Sequence, residues 1–470
     1  MCLRLCVVCV VFGSGSVVMA QPCSPVQAGM VVADDGDVGD GYGWSVGIDG
    51  DTAVVGSHRD DAIGSDSGSV YVLYNDGSGW DEVQKLVGIG IGSNDGFGDA
   101  VAISGDTIVV GAPGDDDVGT NSGAAYVFTN VGGVWTQTGK LIAPPVVGGD
   151  NYASAVDVDG DIMVISASLT DTAGSNSGAA YIYRRIKGTW TYDTRLQSDD
   201  IAQWDRFGID VAVSGNRVLI GADSDDDNGS SSGSVYVFDS DGSVWTQEAK
   251  LSASDGAADD QFGERVDISG DSLIVGARYD DDLFNRSGSA YIFEHDGSSW
   301  SQAIKLTAFD AAGSNYFGQG VAIHNNRAVV GAWGRLDAFG FFNAGAAYAY
   351  SRSGGVWSLD AQLIASDSEG GDFYGYAVGV TDDYAVIGAD GNDDFWWGPD
   401  AGSVYLIALN CETSCLADLT GDGSLDFFDV SAFLAAFGSG DLDADFTGDG
   451  VLDFFDVSAF LTLFGLGCPQ

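Results

Sequence analysis

Basic residues are scarce in this chain. Its 470 residues carry 18 Lys+Arg against 69 Asp+Glu, a formal net charge of −51, with only 3 His. Phosphate neutralisation needs clustered Lys and Arg, so this balance excludes a simple nucleic-acid binder. Repulsion also disfavours docking on an anionic membrane. Glutamate is nearly missing: six Glu leave 63 of the 69 acids as Asp. Beyond Ala20 no continuous apolar run is long enough to cross a bilayer, so no transmembrane segment is expected. Catalytic signatures are lacking as well. There is no GxSxG elbow, HExxH or P-loop. His58, His295 and His324 fall at unlike places in the pattern described below, which suggests no ring of metal ligands. With 63 Asp, no acid/base pair can be singled out. No catalytic residue is nominated, and the chain is not expected to be an enzyme. What is plentiful is glycine, at 70 residues, and a 45% hydrophobic content that suffices for a large core.

Residues 1–20 read as a signal peptide. Arg4 is the lone early charge, residues 5–12 are apolar, and Val18-Met19-Ala20 is a small-residue cleavage site. Secretion to the cell surface or beyond is the expected localisation. Cys2, Cys6 and Cys9 would leave with this leader. Cys23, Cys411, Cys415 and Cys468 remain, an even number for an oxidising compartment. Four cysteines allow three pairings. Cys23 with Cys411 would staple the ends of the large domain, and Cys415 with Cys468 would bracket the tail.

The dominant feature is a repeat. An aromatic residue followed by glycine recurs at Tyr42, Phe97, Tyr152, Phe207, Phe262, Phe317 and Tyr374, with Ala153 in place of glycine in the third copy. A small residue plus glycine recurs at Gly68, Gly123, Gly178, Gly233, Gly288, Gly345 and Gly402, and a Trp at 80, 135, 190, 245, 300 and 357. Within a copy the apolar runs are short and separated by Gly and Asp turns, the pattern of four antiparallel strands. Seven such units predict an all-β fold, a seven-bladed β-propeller spanning residues 26–409. The seventh copy stops after its third strand. Residues 31–36 (VVADDG) align with 251–256 (LSASDG), so the N-terminal strand is expected to complete the last blade and remove the open sheet edge. The six Trp are expected to pack between blades or shield the outer edge, with ligand stacking as the other reading. Runs of Asp follow the second strand at Asp60-Asp61, Asp115 to Asp117, Asp225 to Asp227, Asp280 to Asp282 and Asp393-Asp394. They read as turn-formers on a solvated rim, with weak calcium binding at that rim as the other reading.

Units such as FGDAVAISGDTIVVGAPGDDDVGTNSGAAYVF, residues 97–128, resemble FG-GAP repeats, the units of the integrin α-chain propeller. The resemblance implies a seven-bladed propeller used for protein or glycan recognition, and it does not imply catalysis. The DxDxDG calcium loop of some integrin-type blades does not occur in residues 26–409.

Residues 410–470 change character. DLTGDGSLDFFDVSAFLAAFG from Asp418 and DFTGDGVLDFFDVSAFLTLFG from Asp445 repeat one another almost position for position. Each opens with a 12-residue loop of EF-hand spacing. The first offers Asp418, Thr420, Asp422, the Ser424 carbonyl, Asp426 and Asp429. The second offers Asp445, Thr447, Asp449, the Val451 carbonyl, Asp453 and Asp456. Four carboxylates around one small loop repel one another without a cation, so calcium is the expected cofactor. One helix with an apolar face follows each loop. Two loop-helix halves resemble a dockerin module, which likewise places Asp at loop position 12. In dockerins positions 10 and 11 carry partner recognition. Here they are Phe427, Phe428, Phe454 and Phe455, which either form a sticky face for a cohesin-like or cell-envelope partner or pack the small domain together.

The sequence therefore predicts an exported, calcium-stabilised recognition or adhesion protein. Its propeller rim would bind a protein or glycan and its tail would serve for attachment. The competing readings are a secreted polysaccharide-active hydrolase or lyase and a passive cell-envelope or matrix component.

Overall fold

The computed structural model describes residues 25–144, 148–337, 340–392 and 401–409, and in the tail 417, 419–420, 425, 427–439, 444, 446 and 452–466. The predicted leader and Cys23, Cys411, Cys415 and Cys468 lie outside the described residues. The chain divides into two compact units, one of them Pro25–Leu409.

This unit is seven four-stranded antiparallel sheets. Six blades are continuous in sequence, at residues 42–86, 100–141, 156–196, 211–251, 265–306 and 321–363. The seventh combines Val378–Val380, Tyr384–Ala389 and Ser403–Ala408 with the N-terminal strand Val26–Val31. In that closure Val26 pairs with Ala408 and Val31 with Val404. The closing strand thus lies just before the segment expected from alignment. Only Val31 of residues 31–36 is in it, and the Asp-Asp-Gly that made the alignment recognisable is the turn beyond.

Burial explains the strand pattern. Second and third strands are covered on both faces by neighbouring blades, so they are apolar along most of their length, as in Ile162–Ala167 and Ser289–His295. Fourth strands face solvent on one side and alternate, as in Trp80–Leu86. The landmark Trp residues pack between blades. Trp80, Trp135 and Trp357 are buried, and the indole N–H groups of Trp245 and Trp300 donate to Asp193 and Glu248 of the preceding blade, at 3.2 and 3.1 Å.

The other two landmarks meet each other at every seam. The landmark aromatic donates its backbone N–H to the residue before the landmark glycine of the previous blade, for example Phe97 to Ser67 at 3.0 Å and Phe262 to Ser232 at 3.1 Å. Its ring sits edge-on to a third-strand tyrosine of its own blade in all seven cases, with centroids 5.1 to 5.5 Å apart. The approach leaves no room for a side chain. A Cβ at Gly233 would lie 2.0 Å from the Phe262 carbonyl oxygen, and the glycine holds a φ of +82°.

Among the described residues, the tail forms two helices, α1 (Phe427–Ser439) and α2 (Phe454–Leu466). Phe433 and Phe460 stack with centroids 4.2 Å apart and form its core with Ala417 and Ala444. No described helix is long and apolar enough to cross a membrane.

Gly233→Ala is expected to destabilise the propeller by roughly 2–4 kcal/mol, through the clash and the left-handed backbone together. Gly132→Ala, with φ +66° and open space around it, should cost only about 1 kcal/mol. Urea denaturation of both variants checks the contrast, and equal losses would refute the seam contact.

Candidate functional site

Strand direction sorts the loops. Turns joining first to second and third to fourth strands emerge on one face of the ring. Loops joining second to third strands, and the crossovers from a fourth strand to the next blade, emerge on the other. The seven first strands line a central channel of about 470 Å³.

Among the residues lining this channel are Asp99, Asp157, Asp210 and Asp267, beside Arg265. Three of the acids tie adjacent blades together. Asp157 accepts from Val213 N at 2.6 Å, Asp210 from Val266 N at 2.9 Å and Asp267 from Ile323 N at 2.7 Å. Burial pushes Asp99 up to about 6 and Asp267 up to about 7, and it raises Asp157 and Asp210 in the same direction. Burial opposes the charge on Arg265, but Asp210, Glu264 and Asp99 hold its pKa above the usual arginine value. Asp157, Asp210 and Asp267 therefore act as structural acceptors between blades.

At the mouth on the crossover face, Arg278 pairs with Glu264 at 2.6 Å and Arg206 with Asp223 at 3.4 Å. Burial raises Asp223 to about 6. The His58 ring packs against Trp44, with centroids 4.3 Å apart, and burial with help from Arg59 lowers its pKa to about 4, so it is neutral at physiological pH.

The Asp runs depart from the expected solvated rim. Their first members are buried: Asp60, Asp115, Asp225 and Asp280 are 1 to 4% exposed. Each accepts the hydroxyl of the third-strand tyrosine at 2.8 Å, from Tyr71, Tyr126, Tyr236 and Tyr291. Each also pairs with a fourth-strand lysine, Lys85, Lys140, Lys250 or Lys305, at 2.6 to 2.9 Å. In three blades the lysine reaches a crossover acid as well, Asp35, Asp200 or Asp255. Burial disfavours charge on these crossover acids, but their bonds to lysine and to neighbouring hydroxyls hold them below the usual carboxylate range. A buried carboxylate satisfied by tyrosine and lysine is a clamp across strands and crossover. Asp393 and Asp394 lie outside the described residues. The clamp was readable as a constant order and spacing of Asp, Tyr and Lys in four copies: 60, 71 and 85; 115, 126 and 140; 225, 236 and 250; 280, 291 and 305.

In the tail, the described loop residues include Thr420, Asp429, Asp453 and Asp456. Asp429 and Asp456 are fully buried at the starts of the two helices. Asp429 accepts from the Thr420 backbone N–H and hydroxyl at 3.0 and 2.9 Å, and Asp456 from Asp453 N at 2.7 Å. Positions 3 and 12 of the first loop are thus brought together. Asp418, Asp422, Ser424, Asp426, Asp445, Thr447, Asp449 and Val451 lie outside the described residues, as does the side chain of Phe455. Phe427, Phe428 and Phe454 are 66 to 76% exposed, and the pairing of the helices is made by Phe433 and Phe460 instead.

Two outcomes follow for the propeller. Lys250→Met strands the buried Asp225 carboxylate and should cost about 3–5 kcal/mol in urea denaturation, and adding Asp225→Asn should recover most of the loss. No recovery would show that the lysine acts through packing alone. The second concerns pH. Asp99 and Asp267 keep their protons to about 6 and 7 when folded, while the unfolded chain releases them near 4. The folded state therefore binds more protons in that window, and the thermal midpoint should rise as pH falls from 8 to 5. Asp267→Asn should flatten the rise between pH 7 and 5, and an unchanged slope would contradict the assignment.

The description FG-GAP repeat matches the chain seven times, at residues 26–73, 80–128, 135–183, 190–238, 245–293, 300–350 and 357–407. Each match begins on a fourth strand and ends on the third strand of the next blade, so the sequence unit straddles every seam. Mouse integrin alpha-2 is similar to the chain, at 31% identity over 153 residues, which is 31% of this chain and 11% of that protein. Seven successive matches cover well over half of the chain and account for all seven blades: the chain belongs to the FG-GAP repeat family.

Proposed function

We propose that this is an exported recognition or adhesion protein, stabilised by calcium, in which the propeller binds a protein or glycan and the dockerin-like tail attaches it to a partner. The seven FG-GAP repeats on a closed ring carry this reading, since a rigid ring displaying variable loops suits binding. The occupation of Asp157, Asp210 and Asp267 by blade-to-blade hydrogen bonds favours binding over hydrolysis, because those carboxylates already serve as acceptors for backbone N–H groups. The tail contributes exposed Phe427, Phe428 and Phe454 beside the two loops, apolar surface of the kind that marks interaction sites. Bound calcium would neutralise the loop carboxylates and hold Thr420, Asp429, Asp453 and Asp456 in place.

Calorimetric titration of the full chain with calcium is expected to show two ions bound, and Asp422→Asn with Asp449→Asn should abolish both. Zero or one ion in the unsubstituted chain would count against the paired loops. Phe427→Asp with Phe454→Asp should leave calcium binding intact and remove capture by cell-envelope material, and undiminished capture would refute the attachment role.

A further inference from the structure

One arc of the crossover face carries aromatic side chains that the repeat does not require. Immediately before the landmark aromatic, the first five copies hold Gly41, Gly96, Asn151, Arg206 and Gln261, but the last two hold Tyr316 and Phe373. One residue after the second strand's Gly-Ala stand Pro113, Asp223 and Arg278 in copies two, four and five, and Trp333 in copy six. The fold is built equally well with small or polar residues at these positions, so packing does not account for the rings.

These rings touch. Tyr316 and Trp333 stack within 2° of parallel at 4.6 Å, Phe373 lies 5.5 Å from Trp333, and Tyr279 meets Tyr316 edge-on at 5.9 Å. All four are half-buried, so each keeps part of its surface at the face of the ring. Mutual stacking fixes their planes before any ligand arrives.

Beneath and beside them are buried hydrogen-bond donors without partners. Among the described residues, Asn315 Nδ2, Gln319 Nε2 and Trp333 Nε1 are buried with no acceptor, and Asn315 and Gln319 are 2% and 0% exposed. Buried donors are almost always satisfied, so three together call for a cause. Arg286 lies over the Tyr279 ring at 5.4 Å and, among the described residues, forms no ion pair.

From these observations we infer that the arc of Tyr279, Tyr316, Trp333 and Phe373 is a binding subsite for a neutral polysaccharide of equatorially linked pyranoses. This deepens the recognition reading and rests on it. Such sugars present flat C–H faces that stack on aromatic rings, while their ring and hydroxyl oxygens accept hydrogen bonds around the edge. The neutral class follows from the net charge of −51, which repels polyanions.

The test uses the full-length protein with cellohexaose and chitohexaose, read by calorimetry and by tryptophan fluorescence. At least one is expected to bind. Trp333→Ser and Tyr316→Asn install residues found at the matching places of copy three, Ser168 and Asn151, so the fold tolerates them. Each should weaken binding about tenfold or more, as loss of a stacking anchor does, with the thermal midpoint little changed. Polygalacturonate, which is anionic and axially linked, should bind at least about tenfold more weakly. Failure of both hexasaccharides to bind, or undiminished binding by Trp333→Ser, overturns the inference. If the protein ignores both sugars yet adheres to protein components of a cell envelope, the glycan subsite falls while the recognition reading stands. If it adheres to nothing, both fall.

Discussion

The ring depends on a place where no side chain fits. At each of seven seams a glycine before the third strand meets the carbonyl of the next blade's landmark aromatic, so closely that a Cβ would lie 2.0 to 2.1 Å away. That approach lets the aromatic donate its N–H across the seam and drop its ring against a third-strand tyrosine. In four blades the tyrosine hydroxyl then reaches the buried aspartate, and a lysine completes the charge balance. Backbone contact, ring packing and ion pair thus form one chain of dependence, with the missing methyl group at its head. The last seam obeys the same geometry, since Gly402 sits against Tyr42 across the closure.

Much of this was legible because the constraint acts on residue type. Only glycine tolerates the close approach, so glycine recurs and marks the seam. The strand count followed from runs covered on both faces, which must be apolar. The exact extent of the closing strand was not legible. Its sequence, VQAGMV, has no alternation to betray it, whereas the adjacent Asp-Asp-Gly turn is conspicuous and drew the alignment toward itself.

The fate of the Asp runs was harder to read, because it depends on partners carried by the two strands that follow. Adjacent aspartates look alike in sequence, yet one is buried under a tyrosine and its neighbours face water. Asp61 and Asp116, for instance, each cap a loop N–H, at 2.8 and 2.7 Å. The aromatic arc was missed for the opposite reason. It occupies positions where the copies differ, and attention to what repeats passes over what varies. In the tail, the described part places Thr420 on Asp429.

The way the seventh blade is assembled bears on mechanical load. Its strand Ser403–Ala408 precedes the tail and is sandwiched, with Ala408 facing Val26 on one side and Tyr384 on the other. Traction on the tail therefore enters the ring through a central strand, which must slip past two partners at once when pulled along its length. An edge strand would peel away bond by bond. Threading the N-terminal strand outside Ser403–Ala408 makes the strand that leads into the tail the better-gripped member of the sheet.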